Sequence, residues 1–592
     1  MADSRATARK ADVPEASGAR PTALRPAATT AGDSASSEAM ERLRRAMADL
    51  KQQAIVPLLQ QSIESVRADD WKGGGEWAIK ALEIDEKNGV GWWLLAICRE
   101  KAGDFATSIT CYETALQLLP DHAEIANDLG RLAYRLGQKE LAEKLFHHFL
   151  LRWPGHVEGA NNLACALRDQ SRFDEAIEVL RPVIYAEPNH ALLWNTLGTV
   201  LNEQGEIAQS VTFYDEALRL DPGFARARYN RGNARLALGD PKGALADVEG
   251  ALPGVTLEHE VSMMRLARAT MLVASGDLGE GWDAYEERLN PHFADVTHFL
   301  IDRPRWEPGA ALDGEHLLVV GEQGLGDEVL FANTIPDLIE AIGPEGRMTI
   351  AVERRLVPLF QRSFPKAAVG AHATYKVDAH TVRALPFVED PEAVDLWTPM
   401  ASPLRGFRRS VEAYPARPNY LTADPERVAF WRAELERAGE GPKVGVLWKS
   451  LMIDASRRRF FSPFEQWKPV LGVPGPVFVN LQYGDCAAEL ARAKAEGFAI
   501  WNPPGIDLKD DLDEVAALTC ALDLVIGPAN ATTNIAAACG APVWLISTPA
   551  AWPRLGTDRY PWYPQVRVFT PEAFNRWEGV MAEVGEALDA AF

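Results

Sequence analysis

Four prolines, Pro120, Pro154, Pro188 and Pro222, stand 34 residues apart, each preceded by an amphipathic run and followed by the start of another. A fixed period of this length means that part of the chain stacks like units side by side, each touching its neighbours, instead of closing on one core. With 592 residues the chain is several times the size of a usual domain, so the stack is expected to share it with at least one other fold.

Counting back from each proline recovers the tetratricopeptide pattern. Trp92, Leu95 and Ala115 precede Pro120; Leu129, Gly130, Ala142 and Phe146 precede Pro154. Leu163, Ala164 and Ala176 precede Pro188, and Trp194, Leu197, Gly198, Tyr214 and Ala217 precede Pro222. Small residues let the two helices of a unit touch closely, and the proline, which cannot continue the second helix, ends it. Degenerate units on both sides extend the array to about seven repeats over 41–300. Before it, residues 1–40 are rich in Ala, Ser, Thr, Pro and Arg and are expected to form a disordered tail.

From about residue 312 the period changes to short β-rich runs alternating with helices. HLLVVG at 316–321, RMTIAV at 347–352, KVGVLW at 443–448, PVFVNLQ at 476–482, LDLVIG at 522–527 and APVWLI at 541–546 read as buried parallel strands. The fold class expected is therefore an α-solenoid followed by doubly wound α/β structure. A Pro- and Gly-rich stretch between Tyr414 and Gly441 divides the latter into two Rossmann-like halves, 312–430 and 440–592, facing each other across a cleft.

The first half opens with Gly321-Glu322-Gln323-Gly324-Leu325-Gly326-Asp327 directly after a strand. Gly324 and Gly326 permit close backbone approach to a donor ligand, and the helix that follows offers free N–H groups. Asp327 falls near that helix start, where the dipole favours an ionised carboxylate available as a base. The alternative is a simple helix cap. In the second half, strand 522–527 runs through Gly527-Pro528 into Asn530, Thr532, Thr533 and Asn534. Four hydrogen-bonding side chains at a strand's carboxyl end suit a phosphate, again with helix capping as the alternative. Lys449 and Ser450, at the end of strand 443–448, suit the departing phosphate. The arginine run 457–459 is read chiefly as solvated surface. Asp511 and Asp513 match a metal-binding Asp-x-Asp but begin a helix, where acidic residues complement the dipole, so no metal is expected there.

In the repeats, Asn127, Asn161 and Asn195 occupy one position of successive first helices, with Asn162 and Asn230 beside it. Such a column suits hydrogen bonds to the backbone of a captured protein segment; bonding between repeats is the alternative. Partner capture is the favoured reading because the column persists while its neighbours change. Lys and Arg total 61 against 83 Asp and Glu, a net charge of −22 that opposes sequence-independent binding to nucleic acid. No window of about 18 uncharged apolar residues suits a membrane. The six cysteines form no C-x-x-C pair, so a reducing, cytoplasmic setting is expected.

GEQGLGD at 321–327, KVGVLW, LQYGD at 481–485, DLVIGPANATTNIAAACGAPVW at 523–544 and PWYPQVRVF at 561–569 together resemble bacterial tetratricopeptide proteins with a C-terminal glycosyltransferase of the GT-B fold. These are related to O-linked N-acetylglucosamine transferases and lipopolysaccharide heptosyltransferases. The resemblance is strongest to flagellin glycosyltransferases that place a nonulosonic acid of the pseudaminic type on Ser and Thr from a CMP-activated donor. It implies that Asp327 is the base for the acceptor hydroxyl, that Lys449 and Ser450 meet the donor phosphate, that Gln482 lies at the donor, and that 530–534 form the nucleotide-phosphate loop. No cofactor beyond the nucleotide-sugar substrate is implied. Many relatives carry Asp-Thr-Ala and a His where this chain has Ala529-Asn530-Ala531 and Asn534, a departure that argues against a UDP- or ADP-sugar and is compatible with another nucleotide. A non-catalytic scaffold or chaperone with a degenerate transferase domain is the alternative reading.

Overall fold

The computed structural model describes residues 31–377, 380–451 and 460–592. They fall into two compact units, divided between residues 132 and 133. The boundary lies inside one helix of the repeat array.

The sequence period is reproduced in the helices themselves. First helices begin at Gly89, Ala123, Val157, Ala191 and Ala225, and second helices at Phe105, Lys139, Phe173, Ile207 and Pro241, each 34 residues after the last. Second helices stop at Leu118, Arg152, Ala186 and Leu220, two residues before each of the periodic prolines. Between first and second helix the chain turns through a left-handed residue, at Gly137, Gly205 and Gly239, while Ser171 (φ 62°) takes the same turn in its repeat.

Close approach explains the small residues. A β-carbon on Gly198 would lie 2.6 Å from Cε1 of the buried Tyr214 ring on the paired helix. An alanine in a helix interior ordinarily gains about 1 kcal/mol over glycine. Here overpacking, about 1–3 kcal/mol, is the larger effect. Gly198→Ala is therefore expected to lower the urea midpoint of the second unit, and a raised midpoint would contradict this packing.

Two boundaries differ from expectation. Helix Ala31–Arg67 covers residues 31–40, a stretch expected to belong to the tail. That stretch lacks proline and continues directly into a helix anchored by the buried Ile55 and Ser62. Residues 1–30 lie outside the described residues. At the other end the array finishes with helix Leu278–Tyr285 and the turn Glu286–Leu289, before the expected 300. Strand β1 (Thr297–Phe299) already belongs to a sheet.

The strands that follow are β2 (His316–Val320), β3 (Arg347–Val352), β4 (Ala368–Ala371), β5 (Ala373–Val377), β6 (His380–Ala384) and β7 (Leu396–Pro399). After them come β8 (Lys443–Val446), β9 (Val477–Asn480), β10 (Ile500–Trp501), β11 (Leu524–Pro528), β12 (Val543–Ile546) and β13 (Arg567–Phe569). One sheet has the order β4-β3-β2-β7 and another β10-β9-β8-β11-β12-β13, parallel throughout. Renumbered within its own half, the larger sheet is 3-2-1-4-5-6, the doubly wound order. A small third sheet, β1-β6-β5, was not expected from the sequence. Its strands are only partly buried, so they lack the apolar run that marks β2 or β11.

The dividing segment also differs. Helix Pro425–Glu436 packs on helix Leu512–Ala521 of the larger sheet, with Trp431 buried and its Nε1–H donating to Glu514 at 2.6 Å. The second half thus begins near residue 425 and not at 440. Trp431 and Leu435, one helical turn apart, supply the apolar face that draws the helix in.

Candidate functional site

In an open α/β sheet, ligands bind where the strand order reverses, beyond the carboxyl ends. In the smaller sheet that point lies between β2 and β7, and in the larger between β8 and β11. From β2 the chain enters Gly321–Gly324 and then the short helix Leu325–Phe331. From β11 it enters Ala529-Asn530 and then helix Ala531–Ala538. The two helix starts touch. Asn534 Nδ2 donates to the Gly326 carbonyl at 3.2 Å, and a β-carbon on Gly326 would sit 3.4 Å from the Ala531 nitrogen. Behind them Tyr563 donates to Asn534 Oδ1 (3.3 Å), and Tyr420, stacked on Tyr563, donates to the Val329 carbonyl (2.8 Å). The turns at 324–327 and 530–534, more than 200 residues apart in sequence, are therefore one locus.

Asp327 occupies the third position of its helix and accepts the Gly324 N–H at 3.3 Å, so the capping alternative is realised. Its ionisation departs from the dipole argument. Burial is the largest influence and pushes the carboxyl up to about 6, helped by the charges of Glu322 and Glu328 and opposed by the Gly324 N–H. A carboxylate whose proton affinity is raised to about 6 is a stronger base than an ordinary one and is still largely ionised near neutral pH, which suits a general base.

The second turn is also capped. Asn530 Oδ1 accepts the Thr533 N–H at 3.2 Å, and Thr533 Oγ1 accepts the Asn530 N–H at 3.0 Å and donates to the Pro528 carbonyl at 2.8 Å. This occupies Thr533, while Asn530 Nδ2 is buried with no partner among the described residues and is a spare donor at a helix start. Thr532 is buried beside it.

Gln482, expected at the donor, makes its hydrogen bonds to backbone. Its Oε1 accepts the N–H groups of Trp448 (3.0 Å) and Lys449 (2.9 Å), and its Nε2 donates to the carbonyls of Lys449 (3.1 Å) and Tyr483 (2.9 Å). All four of its hydrogen-bonding positions are spent on backbone. It clamps the turn that carries Lys449 and Ser450, which lie beyond the carboxyl end of β8. Lys449 Nζ pairs with Glu489, so a phosphate there would compete with a carboxylate. The arginines 457–459 lie outside the described residues. Asp511 caps its helix through the Glu514 N–H, and Asp513 forms a bidentate pair with Arg362 at 2.7 Å. Among the described residues no group of three or more His, Cys, Asp or Glu is placed to hold a metal ion.

The carboxyl edge of β11 and β12 opens into a cavity of about 1220 Å³. Pro528, Ala529 and Ser547 line it from the sheet, Tyr560 from the loop beyond, and Arg168 and Asn230 from the repeats. Tyr560 is close enough to Asp327 for its hydroxyl to be affected by that charge. Of the asparagine column, Asn230 thus reaches the cavity. The others bond along the array: Asn230 Nδ2 donates to Asn195 Oδ1 (2.9 Å), Asn161 Oδ1 accepts from Thr196 (2.6 Å), and Asn161 Nδ2 donates to Asn162 (3.2 Å). Asn127 lies in the first unit.

Sequence reasoning missed the buried charges around the first turn. Arg288, at the end of the array, binds Glu322 through Nε (2.8 Å) and Nη2 (3.0 Å), and Glu322 also accepts the Ala401 N–H (2.8 Å). On the other side Glu328 accepts from Arg383 (3.1 Å) and meets His372 Nε2 at 2.9 Å. A glutamate adjacent to each side of a glycine-rich turn was the available signal, but the partners lie 34 to 55 residues away on elements with no motif.

The family model for the tetratricopeptide repeat matches residues 95–148, 161–223 and 203–255. The human protein named Protein O-mannosyl-transferase TMTC1 is 28% identical over 161 residues, 26% of this chain and 18% of its own. A solved tetratricopeptide repeat protein from Parabacteroides merdae overlays 40% of this chain and 92% of its own, with a TM-score of 0.36 and 15% identity. Among the described residues no helix is long and apolar enough to cross a membrane. Protein FlbA of Caulobacter vibrioides is 51% identical over 574 residues, 97% of this chain and 96% of its own. A chain whose repeats and paired α/β sheets are matched at that identity along nearly their whole length belongs to the FlbA family.

Proposed function

We propose that the protein is a metal-independent glycosyltransferase of the GT-B type that moves a sugar from a nucleotide-activated donor to a Ser or Thr hydroxyl of a protein held by the repeats. The observation that carries this reading is the meeting of two helix starts, each at the switch point of its own parallel sheet, through the Asn534–Gly326 hydrogen bond. A donor there has its phosphate at the start of helix Ala531–Ala538, where Asn530 Nδ2 is an unused donor. Asp327, on the facing helix, takes the proton of the acceptor hydroxyl as its oxygen bonds to the anomeric carbon, while the bond from that carbon to the phosphate breaks and the nucleotide leaves with the electron pair. The cavity reaching Asn230 and Arg168 gives the acceptor segment a path from the repeats to that point. Following the motif resemblance, the acceptor is flagellin and the donor a CMP-linked nonulosonic acid.

The pairing of Lys449 with Glu489 and the full engagement of Gln482 favour a second reading, a scaffold that binds its client without chemistry. One experiment separates them. Purified protein is incubated with flagellin and a CMP-linked nonulosonic acid, and the intact mass of flagellin is recorded. A mass increment of one sugar residue supports the transferase; unchanged mass with flagellin still bound supports the scaffold.

A further inference from the structure

The small sheet β1-β6-β5 has no role in the reading above, yet it delivers one long side chain into the turn that carries Asp327. Arg383, on β6, is buried, and its Nη1 donates to the Gly321 carbonyl (2.6 Å) and to Glu328 (3.1 Å), while Nη2 donates to the Gln323 carbonyl (3.2 Å). Its Nη1 also meets His372 Nε2, whose ring lies against the same Glu328 oxygen. The other Glu328 oxygen accepts the Glu353 N–H at 2.7 Å. The fit at the turn is tight: a β-carbon on Gly321 would lie 2.5 Å from the Glu328 carboxyl carbon. Arg383 Nε, by contrast, is buried with no partner among the described residues. A donor left unsatisfied costs stability, so this arginine's place is explained by where its other nitrogens reach.

We infer that Arg383 is a positioning residue, which with His372 and Glu328 holds the 321–324 turn and the helix start behind it so that Asp327 faces the donor crevice. The inference rests on the reading of Asp327 as the base. A planar fork is required, because one guanidinium spans two carbonyls and a carboxylate; an ammonium cannot span all three. A displacement of about 1 Å at a reacting group lowers turnover by about 100-fold, which is the scale expected here.

The test uses the full chain with Arg383→Gln, Arg383→Lys and His372→Gln, flagellin as acceptor and a CMP-linked nonulosonic acid as donor. For Arg383→Gln we expect kcat to fall by about 10- to 100-fold with the donor KM within about twofold, and Arg383→Lys to recover part of the loss. Hydrogen exchange of the amides at 321–331 should accelerate in Arg383→Gln, with exchange in β8 and β11 unchanged. Unaltered kcat in a folded Arg383→Gln variant overturns the inference, as does exchange that accelerates uniformly across both sheets in every variant, which would make the group merely structural. If the wild-type protein transfers no sugar, the proposed function fails, and the exchange pattern alone still decides whether Arg383 holds the turn.

Discussion

Asp327→Asn is expected to lower the rate of sugar transfer by about 10²–10⁴-fold, the usual contribution of a positioned base. The wild-type rate should climb with pH through about 6, as burial holds the Asp327 proton until then, and level off above. The asparagine variant should lack that limb. Stability moves the opposite way. The folded value lies above the ordinary 3.8, so the fold favours the protonated carboxyl; that contribution is whole below about 3.8 and is lost as pH rises through about 6. Asparagine has no such proton to lose and can still accept the Gly324 N–H. Its unfolding midpoint at pH 8 should therefore equal or exceed that of the wild type. A folded variant that keeps wild-type turnover would remove Asp327 from the reaction.

Arg288→Met should be the most destabilising single change, by about 3–5 kcal/mol, because it leaves the buried Glu322 charge without its bidentate partner. Side-chain volume is nearly kept, so the loss is electrostatic. Adding Glu322→Gln to Arg288→Met should recover much of it, since the uncompensated charge is then gone, and denaturant midpoints of the four proteins give the coupling directly. Arg288 also donates to Ser402 (2.9 Å) and Glu286 (2.7 Å), so the end of the repeat array and the carboxyl ends of β2 and β7 meet at one guanidinium. A shift below about 1 kcal/mol would mean that water reaches Glu322.

The repeats were legible because their signal is local and recurs. Each proline, each small residue facing a partner helix and each turn between helices is set within one unit, so the 34-residue period in the sequence reappears in the helix starts. The six expected strands were legible for a similar reason: parallel strands buried on both faces need apolar runs. β4, β7, β10 and β13 escaped because they are short and only partly buried. The turns at Gly321–Asp327 and Ala529–Asn534 were found from glycines and capping residues directly after strands. Gln482 was found by resemblance, yet the structure turns it to the backbone, since a buried amide beside two free N–H groups and two carbonyls satisfies all of them.

What the sequence alone determined is therefore the set of parts: an array of helical hairpins, two series of parallel strands, and a turn with capping chemistry directly after a strand of each. Tertiary structure alone decided how those parts act on one another. It brought Asn534 to Gly326, opened the cavity between the repeats and the edge of β11 and β12, and raised Asp327 where the helix dipole alone would have lowered it. The physical reason is the range of the forces. Capping, helix ending and strand burial depend on neighbours a few residues away, whereas the desolvation of a carboxyl and the pairing of Arg288 or Arg383 depend on groups that folding brings from distant parts of the chain.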